Sequence, residues 1–232
     1  MNQRALIQEL FFSFQGEGPF VGMPQIFLRF YGCNLACAYC DTPAAKTART
    51  LTVEQAVHAI RRLRARHPYV NWVSLTGGEP LLWPAFIKAL TKKLGTCYSF
   101  YLETNGTLPH EFLLVADVID MVSLDIKLAS ASGCAFEERY FLRFLDAIGK
   151  KQTPFFLKVV VTRDASIKEF RNVLRRAAAR IRNTTLVLQP VTPTGRVKAP
   201  AERQLRAWYQ AALEFCKDVR IIPQVHRIAG WR

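Results

Sequence analysis

The chain has 232 residues, half of them hydrophobic and 22% charged, which suits one well-buried domain and is short for two. That balance excludes a disordered chain, and with no run of about 18 apolar residues no transmembrane helix is expected. Lys and Arg outnumber Asp and Glu by 32 to 18, a formal charge of +14 that favours acidic partners, although a merely soluble basic surface explains it equally well.

The first residues carry Arg4 and Glu9 and lack the apolar core of a signal peptide, so a cytoplasmic location is expected. Strand-like runs follow at 26–31, 72–75, 98–102, 121–124, 155–161, 185–188 and 219–222. Amphipathic helical segments lie between several of them. Thr52 and Gln55 form a capping box ahead of Val53, Ala56, Val57 and Ile60 on one face, with Arg61, Arg62 and Arg64 outside. Ser166 and Glu169 form a second box ahead of Phe170, Val173 and Leu174, and 202–217 reads as a late helix. This alternation predicts an α/β fold, a parallel sheet with crossover helices, in a single domain over residues 1–232. The units are too few for a closed eight-fold barrel, which leaves a partial barrel or an open sheet. In either, ligands gather at the carboxyl ends of the strands. The polar and glycine-rich punctuation falls there: Gly32 onward, Thr76 to Pro80, Glu103 to Gly106, Asp125 to Lys127, and Gln189-Pro190.

Cys33, Cys37 and Cys40 crowd into eight residues directly after the first strong strand. In a reducing compartment such a group points to metal or catalysis and not to disulfides. Three thiolates ligate three irons of a cubane and leave the fourth open to a small molecule, whereas most electron-transfer clusters use four cysteines. Zinc is the main rival, but it needs a fourth ligand, and Cys97, Cys134 and Cys216 stand alone, far along the chain.

The Cys33-x3-Cys37-x2-Cys40 loop, with Tyr39 before its last cysteine and Gly77-Gly78-Glu79-Pro80 after the next strand, resembles the radical S-adenosylmethionine superfamily. That resemblance implies a 4Fe–4S cluster whose open iron is chelated by the methionyl group of S-adenosylmethionine. One electron then cleaves the cofactor to a 5′-deoxyadenosyl radical. The flanks are more specific. Phe11 to Gly18, Arg29, Cys40-Asp41-Thr42 and the ending Ile222 to Arg227 resemble the 7-carboxy-7-deazaguanine synthase family, over nearly the whole chain. The implied reaction converts 6-carboxy-5,6,7,8-tetrahydropterin to 7-carboxy-7-deazaguanine with loss of ammonia, in the deazapurine (queuosine and archaeosine) pathway. A homodimer, a modified, incomplete barrel and a Mg²⁺ ion are implied as well.

Carried over residue by residue, the resemblance implies substrate contacts at Phe14, Gln15, Gly16, Glu17, Arg29, Thr76, Glu103 and the terminal carboxylate of Arg232. It implies cofactor contacts at Ala38, Tyr39, Gly77, Gly78, Glu79, Ser123, Leu124, Asp125, Gln189, Pro190, Val191 and Thr192, and a Mg²⁺ contact at Thr42. The chemistry of these side chains is apt. Gln15 and Glu17 reach a pterin edge from an extended loop, Glu103 accepts from its guanidine-like face, and Arg29 forks onto a carboxylate. A neutral Thr42 oxygen beside Asp41 suits a cation that takes few protein ligands.

Blander readings stand beside these. Gln15 and Glu17 are ordinary turn residues, Arg29 and Glu103 a structural pair, and Asp125 with Lys127 a surface ion pair of little worth. His226 is then a core or interface histidine; Cys97, Cys134 and Cys216 are inert thiols; and residues 61–66 are the solvated face of a helix. Two other functions compete: a glycyl-radical-enzyme activating protein, which shares the cysteine loop, and a non-catalytic iron–sulfur or zinc protein that binds RNA. The basic charge also suits an acidic flavodoxin or ferredoxin as electron donor.

Overall fold

A computed structural model describes residues 3–41, 48–195 and 197–231. One nine-stranded sheet runs through it. Its strands are β1 (Arg4–Phe14), β2 (Pro24–Phe30), β3 (Arg49–Thr52), β4 (Trp72–Gly77), β5 (Ser99–Thr104), β6 (Met121–Ile126), β7 (Phe155–Val161), β8 (Thr185–Pro190) and β9 (Asp218–Ile221). The order is β3-β1-β2-β4-β5-β6-β7-β8-β9. From β2 to β9 every neighbouring pair in that order is parallel, while β1 pairs antiparallel with both β2 and β3. The helices are α1 (Val53–Arg66), α2 (Pro84–Leu94), α3 (Pro109–Val115), α4 (Ala129–Ser132), α5 (Glu138–Lys151), α6 (Ile167–Ile181), α7 (Glu202–Leu213) and α8 (Val225–Ala229). The architecture is the α/β fold of parallel strands and crossover helices that the alternation predicts, in the partial-barrel form that the resemblance implies.

Side-chain parity divides each strand between two environments. Facing the helices are Val73 and Leu75, Phe100 and Leu102, Val122, Leu124 and Ile126, Leu157, Val159 and Val161, and Leu186 and Leu188, all buried in the main core. Their alternates face inward. At one level these are apolar: Tyr101, Phe156 and Val187 pack with Trp72 and Met121, and Phe20 closes the plug with its ring 5.7 Å from that of Tyr101. Above the plug the inward positions turn polar, with Thr76, Glu103, Asp125, Lys158 and Gln189 lining one cavity. The polar layer is therefore the site, and the plug is its floor.

Two strands, β1 and the four-residue edge strand β3, depart from the sequence reading. β1 was not expected, and a register shift between Ile7 and Glu9 explains why. Before the shift Ile7 pairs with Phe30 on the helix side; after it Leu10 pairs with Leu28 there, and Phe11 with Phe27 turns inward. The bulge switches which alternate residues are apolar-facing, so no single period runs through the strand. The Thr52–Gln55 box forms as read. At α6 only half of the second box forms: Ser166 accepts from the Glu169 N–H, but the Glu169 carboxylate instead accepts from the N–H groups of Ala129 and Ser130 at the start of α4. The late helix ends at Leu213, short of the 217 expected.

Candidate active site

The cysteine loop leaves β2 through Gly32, at φ +89°, and three anchors hold it against its neighbours. Asn105 Nδ2 donates to Asn34 Oδ1 across 2.9 Å, Asn34 Nδ2 donates to Thr107 Oγ1 across 2.7 Å, and the Ala38 N–H donates to the Ser132 carbonyl across 2.7 Å. Burial pushes the Cys33 thiol up and takes Cys37 to about 12, with the Lys127 ammonium opposing and Cys134 adding to the rise at Cys37. Without a metal these sulfurs are thiols; a bound cation converts them to ligands.

Gly77-Gly78-Glu79 closes the other side of the loop. A Cβ on Gly78 would lie 1.8 Å from the Gly32 carbonyl oxygen, and one on Gly77, at φ +115°, 2.3 Å from that of Phe30. Only glycine lets the ends of β2 and β4 approach this closely. The Glu79 N–H donates to Gly32 O, and its fully buried carboxylate accepts from Leu81 N, Thr104 Oγ1 and Asn105 N. Burial raises it to about 7 against those three donors. Glu79 thus braces β2, β4 and β5 from behind the cavity, while Gly77 and Gly78 line it.

The opposite wall is the 15–23 turn between β1 and β2, folded into the concavity. Gln15 Nε2 donates to Glu103 Oε1 at 3.1 Å, and Thr76 Oγ1 donates to Glu103 Oε2 at 2.7 Å. Burial raises the Glu103 pKa, Lys158 opposing and the Glu17 charge adding. Glu17 goes the other way. Burial works to raise it, but the Lys158 ammonium at Oε2 and the Gln224 amide at Oε1 overcome that and hold it at about 2. Two buried carboxylates pushed in opposite directions give the cavity one protonatable and one permanently ionised acceptor.

The described residues enclose a cavity of about 210 Å³ that also reaches Arg29, Cys33, Cys37, Cys40, Asp41 and Val191. Gln189 Oε1 is buried there without a hydrogen-bond partner, an acceptor open to a donor from a bound group, while Asp125 Oδ1 is buried 3.4 Å from the Lys158 ammonium.

Residues 28–194 match the profile of the Radical SAM superfamily. Over 97% of both chains the protein is 33% identical to the 7-carboxy-7-deazaguanine synthase of Geobacter sulfurreducens. Its identity to the synthase of Archaeoglobus fulgidus is 35%, over 99% of this chain and 100% of that one. The chain belongs to the 7-carboxy-7-deazaguanine synthase family of the Radical SAM superfamily. The fold agrees: the crystal structure of QueE from Escherichia coli matches with a TM-score of 0.65 at 20% identity, covering 96% of this chain and 95% of that one.

Against the synthase-family expectations, the cavity gathers Phe14, Gln15, Gly16, Glu17, Arg29, Thr76, Tyr39, Gly77, Gly78, Glu103, Asp125, Gln189 and Val191. Leu124 points to the helices and Glu79 braces from behind, and neither they nor Ala38, Ser123, Pro190 and Thr192 line it. Thr42 and Arg232 lie outside the described residues. Arg29 meets Glu9 at 3.8 Å, not Glu103. Asp125, expected to contact the cofactor, forms with Lys127 a half-buried pair at 2.6 Å inside the cavity and not the surface pair of the blander reading, with Lys127 over the Tyr39 ring. Cys134 is not alone: it lies near enough to Cys37 to help raise that thiol's pKa. Lys158, Gln224, Asn105 and His226 also line the site. Gln224 and His226 lie in the ending 222–227 that carries the resemblance and Asn105 in the 103–106 punctuation, while the signal for Lys158 is only a charge within an otherwise apolar strand. Among the described residues no helix is long and apolar enough to cross a membrane.

Proposed function

We propose that this chain converts 6-carboxy-5,6,7,8-tetrahydropterin to 7-carboxy-7-deazaguanine with loss of ammonia. The observation that carries the reading is that the three-thiol loop and the Gln15–Glu103–Thr76 layer face one cavity. The pterin edge presents N–H donors, and the ring of acceptors at Glu17 and Glu103, with Gln15 between them, is complementary to it. Arg29 lines the cavity with only a 3.8 Å approach of its Nε to Glu9, so its guanidinium is the donor proposed for the substrate carboxylate.

Three soft thiols in one loop fit an iron–sulfur cluster, and the unpartnered Gln189 Oε1 fits a donor of S-adenosylmethionine. When bound, that pair supplies one-electron hydrogen abstraction from the substrate. Cys33, Cys37 and Cys40 would hold the cluster, and Gly77 and Gly78 leave the adjoining backbone bare for the cofactor. The 15–23 turn would close the cavity over the reacting face and keep water out. Mg²⁺ would lie at Thr42, next to the cavity residue Asp41; Asp41, Glu17 and His226 offer oxygen and nitrogen atoms within 4.8 Å of one another, which suits a hard cation there. A homodimer, a single domain over residues 1–232 and an acidic flavodoxin or ferredoxin as reductant complete the proposal, the last supported by the charge of +14.

The test is an anaerobic assay of reconstituted protein with dithionite, S-adenosylmethionine, Mg²⁺ and the carboxylated tetrahydropterin, followed by mass spectrometry. Deazaguanine formation that vanishes in Cys37→Ala supports the reading. Cofactor cleavage without deazaguanine would overturn the substrate and bring the activating-enzyme alternative forward.

A further inference from the structure

Lys158 is a charge in the wrong place for a strand whose other residues are apolar, and none of the substrate or cofactor assignments above uses it. Its side chain is 8% exposed, on the inward side of β7 between Phe156 and Val160. Desolvating an ammonium costs several kcal/mol, so it persists only where carboxylates surround it. Here Glu17 Oε2 lies at 2.5 Å and Asp125 Oδ1 at 3.4 Å. The contact to Glu17 continues. Gln224 Nε2 donates to Glu17 Oε1 at 2.8 Å and to Asp41 Oδ2 at 2.7 Å, and Asp41 directly follows the last cysteine of the loop. One polar chain therefore joins β7, the 15–23 turn, the segment before α8 and the exit of the cysteine loop.

We propose that Lys158 is a positioning residue that acts through Glu17. Its ammonium pins the 15–23 turn into the open flank of the barrel and so fixes the substrate wall of the cavity. Among the described residues the turn has few other polar ties to the barrel: Gln15 to Glu103 and to Gln25, and the Gly16 carbonyl accepting from Val225 N. Phe20 anchors its far end in the apolar plug. Between Gly16 and Phe20 the lysine is the link that reaches back to the parallel strands. The same ammonium faces Asp125 on the cofactor side, so substrate wall and cofactor wall share one cation. The kinetic part of this inference rests on the pterin reading; the conformational part does not.

The experiment compares wild type, Lys158→Met, Lys158→Arg and the double variant Lys158→Met/Glu17→Gln, all anaerobically reconstituted. Amide hydrogen exchange is followed for residues 15–23, where the Gln15 and Gly22 N–H groups bond across the turn. In Lys158→Met these amides should exchange on the order of tenfold faster or more, with α1 and α6 unchanged. KM for the pterin should rise more than kcat falls, and Lys158→Arg should recover part of both. The double variant lacks the pin and the stranded carboxylate together, so its turn should stay less protected than wild type while exchanging no faster than in Lys158→Met; coupling of this kind marks residues that act as a unit. Unchanged exchange in Lys158→Met, or wild-type protection in the double variant, would overturn the proposal. Should Lys158→Met fail to fold, a folded double variant with an unprotected turn supports it, and one with a protected turn sinks it. Exchange behaving as expected in a protein that makes no deazaguanine would reject the pterin substrate and leave the role of Lys158 standing.

Discussion

Gln15 donates to Glu103 across 3.1 Å, joining residues 88 positions apart, and Thr76 holds the other oxygen of the same carboxylate. Because burial raises the Glu103 pKa, ionising it costs folding free energy in the absence of a ligand. Glu103→Gln should therefore melt no lower than wild type at neutral pH, while kcat/KM falls on the order of a hundredfold or more as the substrate loses a charged acceptor. A variant both active and destabilised would contradict this placement of Glu103.

Glu79 gives a pH signature. Its folded value of about 7 lies above the ordinary 4.5, so the folded chain holds a proton that the unfolded chain has lost. The associated stability is fully present below about 4.5 and is lost as pH rises through about 7, a change of roughly 3 kcal/mol. Urea unfolding of wild type and Glu79→Gln at about pH 5 and pH 8 checks it. Wild type should lead at the lower pH by more than at the higher one, and a constant gap would mean that this carboxyl does not titrate with folding.

Gly78→Ala should prevent the site from forming. The new Cβ meets the Gly32 carbonyl at 1.8 Å, a backbone atom with nowhere to go because Gly32 starts the cysteine loop. Iron uptake on reconstitution should collapse, with destabilisation of about 3 kcal/mol or more if the chain folds. Gly149→Ala in α5 is the control: nothing lies within 4 Å of its Cβ, so the helix should gain up to about 1 kcal/mol and iron uptake should be unchanged.

What could be read in the sequence was what is local in it. β7 was placed at its observed bounds because its apolar run ends where its burial ends, and the cysteine loop and the two glycines carry their chemistry within a few residues. β1 was hidden by the shift of register at Gln8, and β3 by being four residues long on an edge. The polar chain through Lys158, Glu17, Gln224 and Asp41 joins positions 141, 207 and 183 residues apart. No period or motif in one sequence encodes such pairings; they exist only once the sheet has curved. Glu169 failed as a capping box for the same reason, since a competing donor pair at Ala129 and Ser130 comes within reach only in the fold.

Cys134 tests the metal itself. Ser132 to Cys134 packs on the cysteine loop, the Ala38 N–H bonds Ser132 O, and Cys134 lies near enough to Cys37 to help raise its pKa. A fourth thiol near Cys37 is what a zinc site would recruit, so the count of cysteines no longer separates the two metals as it did in the sequence. Substitution does. A cluster held by three cysteines keeps its iron in Cys134→Ser, together with its visible absorbance and its cleavage of S-adenosylmethionine, and loses all three in Cys33→Ser, Cys37→Ser or Cys40→Ser. A four-thiolate site loses its metal in each of the four variants alike. Iron and zinc content measured on all four reconstituted proteins decides the matter. Equal loss in Cys134→Ser would mean that no iron is left open for the cofactor, and the radical chemistry proposed for this chain would fall with it.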